Sequence, residues 1–127
     1  MTRTHEKVGN EPVSARPDYS PASAAAGVEE AFGILKGRWK LEILFNLFDG
    51  EPRRFSDLTR HIPEVSEKML GQQLRHLERD GIIGRTVHAE VPPRVEYALT
   101  PWGLSLCPAL DGFLEWLERR RRSSAQT

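Results

Sequence analysis

The chain has 127 residues, 39% of them apolar and 28% charged, and its 18 basic and 18 acidic side chains cancel to a formal net charge of zero. That is the composition of one soluble globular domain, not of a disordered or membrane protein, and it counts against a protein that coats nucleic acid through bulk positive charge. A single cysteine, Cys107, excludes an intramolecular disulfide and any multi-cysteine metal site, and fits a reducing compartment.

Residues 1–25 carry Pro12, Pro17 and Pro21 among Ser, Ala and charged residues, with Tyr19 their one aromatic. So little apolar material cannot offset the entropy of ordering, and the segment reads as a flexible arm. It holds no apolar run fit for a signal-peptide core. Nowhere does the chain approach the ~18 consecutive apolar residues of a membrane span. A cytoplasmic protein is expected.

From Gly27 the pattern turns helical. Val28, Ala31, Phe32 and Leu35 fall at i, i+3, i+4 and i+7, one face of a first helix that Gly37 punctuates. "RWKLEILFNLFDG" then sets Trp39, Leu41, Ile43, Leu44, Phe45, Leu47 and Phe48 almost all round a helix, which predicts a buried central element ended by Asp49-Gly50. In "PRRFSDLTRHIP", Ser56 can cap a short helix carrying Leu58 and Ile62, and Pro63 stops it. After a few residues Ser66 caps a longer helix running to Gly81. A short and a longer helix joined by such a turn outline a helix-turn-helix.

"IIGRTVHAEVPPRVEYALT" offers two extended runs, Ile82–Ala89 and Arg94–Leu99, with the alternation of half-buried strands. The prolines of "EVPP" suit the loop between them, so a hairpin with a stiff tip is expected. Thr100-Pro101 provides a cap and a first-turn proline for a last helix to about Arg122, leaving 123–127 as a tail. The predicted fold is mainly α with a small β-hairpin, a winged helix-turn-helix over residues 26–122.

The longer helix is divided by charge. At about 100° per residue, Met69, Leu70, Leu74 and Leu77 gather on one side, while Lys68, Gln72, Arg75, His76 and Arg79 share an arc of roughly 100° opposite. Arg and Lys donate to phosphates and guanine edges, and Gln pairs bidentately with adenine in the major groove. Ser66 and the free amides of the first turn can hold a phosphate, and Gln73 completes the candidate set on this helix. Arg53 and Arg54 before the short helix, and Arg85 and Arg94 on the hairpin, are candidate phosphate contacts. A merely solvated face, and an ordinary surface role for any single arginine, stay open at this level.

Other chemistry is missing from the sequence. His5, His61, His76 and His88 have no neighbours at metal-ligand spacing. There is no phosphate-binding glycine loop and no Ser/His/Asp arrangement, so neither enzyme, cofactor nor metal is expected. The last helix has a wide apolar arc, with Trp102, Leu106, Leu110, Phe113 and Leu117 flanked by Cys107, Leu114 and Trp116. That arc is the candidate interface of a two-fold dimer, whose paired recognition helices would match a palindromic operator in double-stranded DNA. The alternative is that the first helix covers that arc within one protomer. "RRRR" at 119–122 suits a helix C-terminus. Cys107 reads as an inert core thiol, with a redox role as the sharper option.

With these residues in place, the chain resembles the HxlR-type transcriptional regulators, winged-helix proteins related in fold to the MarR group. The resemblance spans about Val28 to Leu117 and rests on Gly37-Arg38-Trp39, Arg54-Phe55, the run Ser66 to Arg75, and "VPPRVEYALT". It implies a homodimer on operator DNA, built by the last helix and by the first with its Val28 and Phe32, with the Ser66–Asp80 helix in the major groove, the hairpin as wing, and a repressor responding to a small-molecule or oxidative signal. Family members often carry a cysteine just before the first helix; that position here is Ala26, so Cys107 does not inherit its role. The competing reading is a winged-helix protein-interaction module that does not bind DNA, supported by the zero net charge.

Overall fold

Ser20 and Pro21 decide where the first helix starts. In the computed structural model, which describes residues 12–126, helix α1 spans Pro21–Leu35. The Ser20 hydroxyl accepts from the Ser23 amide at 3.1 Å, the Ser23 hydroxyl accepts from the Ser20 amide at 2.9 Å, and Pro21 occupies the first turn. Residues 21–25, expected in the arm, are therefore helical. Their alanines favour a helix strongly but carry no apolar period to reveal it. A 3-10 turn covers Val13–Ala15, and the rest of the expected arm, residues 1–11, lies outside the described residues. This stretch, to Lys36, forms one compact unit, and Gly37 onward forms a second.

The second unit opens on a tight turn. Gly37 has φ +132°, and Trp39 adopts the left-handed φ of 84° with the Arg38 guanidinium 4.5 Å from its ring centroid. Helix α2 (Lys40–Phe45) buries Ile43 and Leu44, and Leu47 follows them into the core. It is not buried all round as its sequence suggests: Leu41 and Phe45 stay exposed, and the Phe45 ring meets Phe48 edge-on at 5.1 Å. Strand β1 (Arg53–Arg54) leads into α3 (Phe55–His61), and α4 spans Glu67–Arg79. Leu58 and Ile62 with Leu70, Leu74 and Leu77 complete the helical core against Ile82 and Ile83. Each such side chain contributes about 1.5–3 kcal/mol by leaving water.

Strands β2 (Ile83–His88) and β3 (Arg94–Leu99) form the expected hairpin, pairing Ile83 with Leu99 and His88 with Arg94. A third strand was not anticipated. Arg53 and Arg54 pair antiparallel with Tyr97 and Glu96, giving the order β1-β3-β2 and anchoring the start of α3 to the hairpin. Beyond β3, Thr100 caps α5 (Pro101–Leu104) by accepting from the Gly103 amide at 3.0 Å. The expected single last helix is interrupted at Ser105, and α6 runs over Leu106–Gln126, past Arg122 into the supposed tail. Pro108 explains the break: without an N–H it cannot continue a helix from α5, yet it is tolerated in the first turn of α6.

Candidate nucleic-acid interface

Local capping sets both helices of the helix-turn-helix. The Asp57 carboxylate accepts from the Arg54 amide at 3.0 Å and fixes the start of α3. That bond, assisted by Arg60 beside it, holds the Asp57 carboxyl below the usual carboxylate range. In the turn, Ile62 and Val65 are buried anchors. Ser66 then accepts from the Met69 amide at 3.0 Å and starts α4, so the predicted cap is found where expected.

Helix α4 presents two faces. Leu70, Leu74 and Leu77 are buried, while Ser66, Lys68, Gln72, Arg75 and Arg79 are exposed and His76 is half-buried. Among the described residues no hydrogen bond or ion pair engages the side chains of Lys68, Gln72, Arg75 or His76; Arg79 lies 3.5 Å from Asp80. A cation with no internal partner is available to a phosphate or base edge at no cost in broken pairs. Gln73 is a correction. One 100° step beyond Gln72 carries it to the leucine side, where it is 7% exposed, with its Oε1 buried and unpartnered and its amide nitrogen donating to Met69 Sδ at 3.5 Å. It cannot reach DNA.

The arginines flanking α4 are placed differently from those on it. Arg53 pairs with Asp49 at 2.5 Å. The Glu51 amide, and Arg53 with it, hold the Asp49 carboxyl below its usual range. Arg85 lies 3.7 Å from Glu78, and Arg94 contacts Glu90 at 3.1 Å and Glu96 at 3.9 Å. His88 Nε2 sits 2.7 Å from the same Glu96. The wing is thus a locally compensated cluster and not a free basic arm; Arg54, on the edge strand, remains exposed. Strand alternation, which puts Arg94 and Glu96 on one face of β3, is the signal in the sequence for Glu96; Glu90, in the loop between the strands, has no such signal.

A profile of the HxlR-like helix-turn-helix family matches residues 34–125. The chain belongs to this family. The HxlR-like chain is 48% identical over 89 residues to an HTH-type transcriptional regulator of Methanothermobacter thermautotrophicus, covering 70% of this chain and 67% of that one. Its fold is similar to that of a MarR-family transcriptional regulator from Enterococcus faecalis V583, with a TM-score of 0.80, 32% identity, and coverage of 90% of this chain and 100% of that one. It is also similar to the redox regulator HypR in its reduced form, with a TM-score of 0.69, 38% identity, and coverage of 80% and 99%. The protein is therefore an HxlR-type helix-turn-helix transcriptional regulator with a winged-helix fold. No helix among its described residues is long and apolar enough to cross a membrane.

The candidate dimer residues of this HxlR-like protein also divide. Phe113, Leu114 and Trp116 on α6 and Trp102 on α5 are exposed, Trp116 at 69%. Leu106 and Leu117 are half-buried. Leu110 is buried at 8% within the protomer, so it belongs to the core and not to an interface. In the first unit, Val28 and Phe32 are about half exposed, at 50% and 51%. Cys107 is half-buried, and both burial and the neighbouring Asp111, 3.9 Å from its sulfur, raise the thiol above its ordinary range. A thiol kept protonated is a poor nucleophile. Its alkylation by iodoacetamide near neutral pH should run slower than that of a free cysteine; faster labelling would restore a redox role.

Proposed function

We propose that the protein binds a palindromic operator in double-stranded DNA as a homodimer and represses transcription in the cytoplasm, by binding alone and without catalysis. The observation that carries this is the face of α4, where Lys68, Gln72, Arg75 and His76 stand on a capped helix with no internal partners among the described residues. Ser66 and Arg79 flank them, with Arg54, Arg53, Arg85 and Arg94 nearest the backbone. The exposed apolar side chains Val28 and Phe32 of α1, and Trp102, Phe113, Leu114 and Trp116 of α5–α6, support the second copy. HypR is a redox regulator, and an oxidative or small-molecule signal fits this protein too. Cys107 is poorly suited to receive it.

Lys68→Ala and Arg75→Ala should each weaken binding to DNA from the protein's own promoter region by about 1–3 kcal/mol in gel-shift titrations. Parent-like affinity in both variants would remove that face from the interface. The ion-paired wing favours a second reading, a winged-helix module that binds protein and not DNA. It predicts that no duplex is bound more tightly than any other across a salt series.

A further inference from the structure

Gly71 lies in the middle of α4, where glycine weakens a helix relative to alanine. The protomer gives it no reason to be there. Its φ is not among the positive ones. A methyl built on it would sit 3.5 Å from Arg75 Nη1 and 3.9 Å from Phe55 Cε2, ordinary van der Waals distances. The fold has room for alanine and would gain by it, so the use of the missing side chain lies outside the protomer. Gly27, Gly33 and Gly112 are more open still, on other helices, but Gly71 alone among them borders Lys68, Gln72 and Arg75, which have no side-chain partners among the described residues.

Side chains of a helix tilt toward its N-terminus, so Arg75 reaches back over the position four residues before it. The result is a bare strip of backbone with a guanidinium nitrogen and an aromatic ring carbon beside it. The hollow has room for one methyl, bounded by the Gly71 Cα–H, by Phe55 Cε2 and, nearest, by Arg75 Nη1, and it admits a small group but not a larger one. The apolar group that DNA displays in the major groove is the C5-methyl of thymine. Resting on the DNA-binding reading above, we propose that Gly71 is a specificity-determining position, and that the strip between Phe55 and Arg75 seats a thymine methyl of the operator.

The test begins by enriching random-sequence duplexes on the full-length protein, then titrating the enriched site with parent and Gly71→Ala in parallel with thermal melts. The variant should melt a few degrees higher and bind unrelated duplex like the parent. On the enriched site it should bind roughly tenfold more weakly. Replacing each thymine in turn by deoxyuridine removes one methyl. At one position this should weaken the parent about fourfold, the transfer value of a buried methyl, and weaken Gly71→Ala no further. Equal affinity of the two proteins, the absence of a deoxyuridine-sensitive position, or a lower melting point for the variant would each overturn the proposal and leave DNA binding intact. Failure of the parent to enrich any sequence would overturn the DNA-binding reading and the proposal with it.

Discussion

Gly103→Ala is expected to remove much of the stability of the folded state. A Cβ at position 103 would lie 2.0 Å from the Ile82 carbonyl oxygen, 3.0 Å from its carbonyl carbon and 3.1 Å from its Cγ2. The obstacle is backbone, so no rotamer relieves it. That carbonyl already accepts from the Thr100 amide at 3.0 Å and from its hydroxyl at 3.1 Å. Moving it away breaks both bonds and uncovers Ile82, now 2% exposed. Overpacking combined with lost buried hydrogen bonds falls in the range above about 4 kcal/mol, a large share of the ~5–15 kcal/mol that holds a domain together. Circular dichroism during heating checks it. A melt within a few degrees of the parent would show that the start of β2 withdraws freely.

Leu77→Ala has the next largest expected effect. Leu77 is fully buried near the end of α4, and deleting its branched end removes the transfer energy and leaves a cavity that a helical core cannot wholly close. The loss should be about 2–5 kcal/mol. Leu114→Ala supplies the contrast: at 46% exposure it should shift the stability of an isolated protomer by less than about 0.5 kcal/mol. Urea denaturation with unchanged slope measures both. Comparable losses at the two positions would mean that α6 buries its face in the folded molecule under assay, as it would beneath a second copy or beneath α1.

What could be read from the sequence was what local chemistry decides. Ser66 and Thr100-Pro101 announced their helices because a cap acts within four residues, and the leucines of α4 announced its buried side because their spacing is that of one helix. Strand β1 could not be seen. Arg53 and Arg54 are extended only because Tyr97 and Glu96, far along the chain, pair with them. The start of α1 was hidden by alanines, which form helices without a polar–apolar pattern. Gln73 has the residue type of a DNA contact but not the angle: one step round the helix separates it from Gln72 and moves it from solvent to core. The compensated wing was missed for a related reason, since Arg94 announces a charge but only the strand register shows which carboxylates stand beside it.

Thr100 has a wider consequence. Its hydroxyl donates toward Gly81 at 2.7 Å and Ile82 at 3.1 Å, and accepts from Gly103. The end of α4, the start of β2 and the first turn of α5 thus meet at one side chain, and Gly103 against Ile82 removes the slack between them. Such a joint behaves as a stiff hinge pin. Rotation of α5 relative to the hairpin would therefore carry the C-terminal end of α4 with it instead of being absorbed by a loop, so in the dimer proposed above the angle at which two copies meet would set the spacing of their two α4 helices.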